Sequence, residues 1–114
     1  PRELINAVDG VEIVEMEHSG EDAMCCGVSS MMSCNENARS LRVTRMEEVR
    51  ATGADTMLTS CPKCVSHFEC LKFEGDEAYA DIEILDVVSF LARQVNEQKS
   101  QLGAETTVGE TAEA

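Results

Sequence analysis

Four of the six cysteines in these 114 residues stand in two blocks, Cys25-Cys26 and Cys61-Pro62-Lys63-Cys64, while Cys34 and Cys70 stand alone. A C-x-x-C at the start of a helix puts two sulfurs on one side of a turn. It aims backbone N–H groups at them and lowers their pKa through the helix dipole. Each effect favours thiolate, the form that binds metal. The adjacent pair behaves differently. Its side chains diverge, so both reach one tetrahedral ion poorly, but they can serve neighbouring irons of a cluster. Gly27, lacking a side chain, lets the backbone approach bulky inorganic sulfide. In a reducing compartment, cysteines clustered in this way bind metal or do redox chemistry. The alternative for Cys25, Cys26, Cys61 and Cys64 is a set of buried thiols without metal. Cys34 and Cys70 read as small buried hydrophobes. His67, three positions after Cys64, could protonate a thiolate or bond a cluster sulfide, but reads first as a satisfied structural histidine. His18 reads as part of a polar loop.

The elements that must position these groups follow from the hydrophobic pattern. Residues 2–8 read as the last turns of a helix with Leu4, Ile5 and Val8 buried, stopped by Gly10. Val11-Glu12-Ile13-Val14-Glu15-Met16 reads as a strand rich in β-branched residues. A helix is expected over about 30–52, ended by Gly53, and a short buried strand over 56–60. Pro62 suits the first helical position of the next helix, which runs to about Phe73 and stops at Glu74-Gly75. Residues 82–85 read as a third strand. Asp86 then caps a helix over about 87–98, with Val87, Val88, Leu91, Ala92 and Val95 at helical spacing. Residues 100–114 form an acidic tail without large apolar side chains, expected to be disordered; residues 1–99 carry the folded part. Helices alternating with strands imply an α/β fold, a small parallel sheet with flanking helices. Both cysteine blocks then fall at the carboxyl edge of the sheet, where open α/β sheets bind ligands. Arg39, Arg42 and Arg45 read as a solvated helix face paired with Glu36, Glu47 and Glu48, and Met31, Met32, Met46 and Met57 as core filler.

Composition narrows the function classes. The net charge of -13 argues against a nucleic-acid partner, which needs a basic face, and against attraction to an anionic membrane surface. Aromatics are 4% of the chain, so the core must rest on Val, Ile, Leu, Met and Ala. No stretch is long or apolar enough to span a bilayer. The start, Pro1-Arg2-Glu3-Leu4, shows no signal-peptide region and no Met, so the chain reads as a piece cut from something longer. A cytoplasmic setting is expected, with any membrane association through a partner subunit.

Cys25-Cys26-Gly27, the 34 residues from Gly27 to Ser60, and Cys61-Pro62-Lys63-Cys64 together resemble the cysteine-rich CCG domain. That domain occurs in B and D subunits of heterodisulfide reductases and in iron–sulfur subunits of lactate-, glycolate- and glycerol-phosphate-oxidising enzymes. Pro1–Leu4 and Gly10–Met16 resemble the run that precedes the CCG triplet, and Thr59–Cys64 resembles the second cysteine block. The resemblance covers about residues 1–96, and the chain corresponds to the C-terminal half of the larger cysteine-rich domain. It implies a noncubane four-iron (4Fe-4S) cluster held by five cysteines, four of them Cys25, Cys26, Cys61 and Cys64, with the fifth upstream of Pro1. It also implies an oxidoreductase subunit that reduces a small disulfide in two one-electron steps, among partners that are iron–sulfur, flavoprotein or membrane-cytochrome subunits. Val28-Ser29-Ser30 departs from the glycines that often follow the triplet. Some family members hold zinc at such a site. Two other readings therefore stand beside this one: a 2-hydroxy-acid-oxidising complex and a zinc-stabilised structural module.

Overall fold

The computed structural model describes residues 1–28, 35–75 and 77–113, the stretch 104–113 by its backbone alone. Among the described residues, four helices and two strands follow one another as α1 (Arg2–Asn6), α2 (Glu36–Thr52), β1 (Thr56–Thr59), α3 (Pro62–Phe73), β2 (Glu83–Asp86) and α4 (Val87–Glu113). The strands pair in parallel, Thr56 opposite Glu83 through Thr59 opposite Asp86, with α3 as the crossover. The α/β class expected from the sequence is the class observed.

Local signals set most of the boundaries. The Asn35 side chain accepts from the Ala38 N–H at 2.9 Å and starts α2, and Gly53 at φ 75° ends it. Pro62 opens α3, where its missing N–H costs nothing. Asp86 closes β2 and caps α4, accepting from the Ser89 N–H at 2.9 Å. Two apolar clusters cover the two faces of the sheet. Met46, Val49, Phe68, Leu71 and Tyr79 pack with Met57 and Ile84 on one face, with Cys26 among them. Ile5, Val87 and Phe90 pack with Leu58 and Leu85 on the other.

Four expectations are corrected. Residues 11–16 join no sheet among the described residues, so the first of the three expected strands is not formed there. Val11 and Ile13 still pack on the α4-side cluster; the run has strand composition, but no neighbouring strand supplies hydrogen bonds. In α1, Ile5 is buried whereas Leu4 is exposed, because a five-residue helix offers only one turn to the core. Helix α4 runs on to Glu113, past the end expected near Gln98. No Pro and no cap follows Gln98 to stop the helix, and Ala, Glu and Gln are good helix formers. Finally, the arginine face of α2 is not solvated: Arg42 and Arg45 are buried, and only Arg39 is exposed. Met46 and Met57 are core residues as expected; Met31, Met32 and Cys34 lie outside the described residues.

Arg45 and Glu48 tie the loop before Cys25 to α2. Arg45 pairs with Glu48 and donates to the His18 carbonyl at 2.8 Å, and His18 Nδ1 lies 2.7 Å from Glu48 Oε1. Burial pushes the Glu48 carboxyl up, but the His18 hydrogen bond and the Arg45 charge outweigh it and hold the carboxyl below the ordinary glutamate range. A carboxyl whose pKa is lower folded than unfolded stabilises the fold above its unfolded pKa, about 4.3, and loses that contribution as pH falls through the folded value. Stability should therefore fall on acidification below about pH 5. Glu48→Gln should flatten part of that slope, read from urea midpoints at pH 7, 5 and 4.

Candidate metal centre

Both cysteine blocks reach one region through backbone that the sequence shapes locally. Cys61 is the N-cap residue of α3, and Cys64 lies in its first turn. The Cys61 thiol is held below its ordinary pKa, first by the Cys64 N–H, then by the Cys64 thiol and the Lys63 N–H. This is the thiolate-favouring turn that the C-x-x-C spacing implied. Cys64 is pushed the other way, up to about 12, first by burial and then by hydrogen bonding with the Cys26 and Cys61 thiols. A metal bound at Cys64 must displace that proton, so loading is favoured by base.

The other block is seated on α2. Gly27 has φ 89°, and a Cβ there would lie 3.0 Å from the Ala38 carbonyl and 3.2 Å from Leu41 Cβ. Only glycine permits both the backbone conformation and the approach. The seating buries Cys26 and brings its Sγ to 3.2 Å from Cys64 Sγ. Cys25 is exposed, with its Sγ 3.3 Å from the Gly27 N–H. Cys26, Cys61 and Cys64 thus share one patch, and Cys25 stands at its rim. Among the described residues, no three thiol, imidazole or carboxylate groups close around a single ion.

One residue near the patch was misread from the sequence. Arg42 is fully buried; its Nη2 donates to Glu74 Oε1 at 3.1 Å, while Nε and Nη1 have no partner among the described residues. His67 Nε2 is likewise buried without a well-formed hydrogen bond among the described residues, although the Cys26 and Ala38 backbone lies close enough to raise the ring's pKa. Burial, and then the Arg42 charge, lower the His67 pKa. The signal for Arg42 was present: it lies four residues after Ala38 and four before Met46, inside the buried stripe of α2. Cys70 is half-buried on α3.

The family model of the CCG cysteine-rich domain matches residues 1–69. The chain is 34% identical over 117 aligned residues to a probable iron–sulfur-binding oxidoreductase, FadF, of Bacillus subtilis, covering 96% of this chain and 15% of that protein. It is 32% identical to the B subunit of the CoM/CoB fumarate reductase of Methanothermobacter marburgensis, over 80% of this chain and 18% of that one. It is 30% identical to the D subunit of the dihydromethanophenazine:CoB–CoM heterodisulfide reductase of Methanosarcina acetivorans, over 82% of this chain and 22% of that protein. The chain therefore spans about a fifth or less of the length of these relatives, which are iron–sulfur oxidoreductases or reductase subunits by description. No solved structure matches it. No helix among the described residues is long and apolar enough to cross a membrane, while another relative is described as a membrane-anchored ferredoxin. The match over residues 1–69, centred on the two cysteine blocks, makes this chain a member of the CCG cysteine-rich domain family.

Proposed function

We propose that Cys25, Cys26, Cys61 and Cys64 bind an iron–sulfur cluster of the four-iron, noncubane kind, and that the domain serves a heterodisulfide-reductase-like oxidoreductase that reduces a small disulfide. The observation that carries this reading is the 3.2 Å approach of Cys26 to Cys64, which joins blocks 38 residues apart. A bound cluster would supply electrons one at a time, as reduction of a disulfide in two steps requires. The protein's own contribution is to hold the thiols ready. The α3 turn lowers the pKa of Cys61, Gly27 seats the adjacent pair, and exposed Cys25 leaves one side of the patch open to a substrate. A fifth thiolate would come from polypeptide upstream of Pro1, and redox partner subunits would deliver the electrons. The relation to FadF favours a second reading, in which the same cluster only relays electrons within another oxidising complex.

Anaerobic purification of residues 1–114, and of the chain extended upstream, followed by iron, acid-labile sulfide and zinc analysis, tests the assignment. About four irons and four sulfides per extended chain are expected, with most of the iron lost on Cys61→Ser or Cys26→Ser. Zinc alone, held by all four thiolates in both versions, would replace this reading with a structural module.

A further inference from the structure

A groove of about 730 Å³ lies between the run 11–16 and β1. Its walls include Val11, Ile13, Met57, Leu58, Val87 and Phe90. Both sides present backbone groups without partners. On the β1 side, the Glu83 N–H donates to the Asp55 carbonyl at 2.8 Å, with Thr56 opposite Glu83. A parallel ladder in that register spends the groups of Met57 on β2 and turns the N–H and C=O of Thr56 and Leu58 the other way, toward the groove. On the facing side, Val11–Met16 make no backbone hydrogen bond among the described residues. Rows of unmet donors and acceptors are costly where solvent is displaced by apolar walls.

The dimensions fit one more strand. A strand residue within a sheet fills roughly 3.3 by 4.8 by 10 Å, or about 160 Å³, so the groove takes about four to five residues. That matches the four residues of β1. A strand lying there would be covered on both faces, by the cluster around Met57 and by the cluster around Leu58. It must therefore be apolar on both faces, as interior parallel strands are.

We infer that this groove is the seat of an additional β-strand, parallel to β1, which pairs with Thr56 and Leu58 on one side and with Val11–Met16 on the other. The occupant is a segment of the same polypeptide lying outside residues 1–114. Relatives are several times longer than this chain. Pro1 and Arg2 themselves line the groove, so polypeptide joined there starts beside it. Helix α1 then stands as the end of the crossover that a parallel strand needs before the run 11–16. Seating the strand converts a two-stranded sheet into a four-stranded one. It also gives residues 11–16 the partner whose absence leaves them outside the sheet. The inference does not depend on which metal the cysteines hold.

Amide hydrogen exchange on the full-length protein, resolved to single residues and repeated over a hundredfold dilution, tests it. The expected result is that Thr56 and Leu58 are protected within about tenfold of Met57 and Thr59 at every concentration, with the amides of 12–15 protected in alternation. Exchange of Thr56 and Leu58 at least 100-fold faster than Met57 would overturn the inference, because their amides would then face water. Loss of protection on dilution would also overturn it, assigning the strand to a second copy. Fast exchange at Met57 as well would show that β1 is not a paired strand, which removes the groove altogether.

Discussion

Replacing Gly27 by alanine is expected to destabilise the domain by about 2–5 kcal/mol. A left-handed conformation costs a non-glycine residue about 1–2 kcal/mol. The added methyl meets the Ala38 carbonyl at 3.0 Å and Leu41 Cβ at 3.2 Å, and forcing such contacts in a packed site costs about 1–3 kcal/mol. The neighbour that must yield is helix backbone, held by its own hydrogen bonds, so the loop moves instead of α2. Cys26 moves with it, away from Cys64. The urea midpoint should fall with an unchanged slope, and metal content should fall together with it. A change under about 0.5 kcal/mol would mean that the Cys26-Gly27 backbone does not rest on α2.

Arg42 gives the second large effect, and two substitutions divide its causes. Arg42→Ala removes a fully buried side chain and leaves a cavity, which in well-packed cores costs about 2–5 kcal/mol for a large residue. Glu74 keeps 38% of its side chain in water, so it loses little when its partner goes. A cost of about 2–4 kcal/mol follows. Arg42→Met keeps most of the volume and deletes Nε and Nη1, the two buried donors without partners among the described residues. An unmet buried donor costs about 1–3 kcal/mol, so the metal-free Met variant should match or exceed the parent in thermal unfolding. Should Met be as damaging as Ala, the guanidinium would be making a contribution beyond its bond to Glu74.

The legible parts of the fold were those set within a few residues. Gly53, Pro62 and Asp86 punctuate the chain through backbone conformation, a missing N–H and a capping carboxylate, and each acts where it stands. The run 11–16 was misread for the opposite reason. Its composition suits a strand, but a strand exists only with a partner, and partners are set by distant parts of a chain. The arginines of α2 show the same division. Their spacing gives a face, but whether that face meets water depends on what packs over it, here α3 and the loop anchored at His18. The end of α4 was placed too early because the apolar spacing fades after Val95, although no proline follows to end the helix. In the candidate site, the C-x-x-C turn and the need for Gly27 could be read directly. The unmet donors of Arg42 could not, since they arise only when α2 and α3 are brought together.

The 3.2 Å approach of Cys26 to Cys64 also fixes an order of events during biosynthesis. The turn that holds Cys61 and Cys64 is local and forms as soon as α3 does. Cys26 reaches it only after a loop of 38 residues has closed and α2 has docked, and contacts of that sequence span form late. Nascent chains thus pass through a stage in which the C-x-x-C turn is formed while Cys26 is still elsewhere. During that stage the turn already lowers the pKa of Cys61, and any ligand that needs both blocks has to wait for the helices.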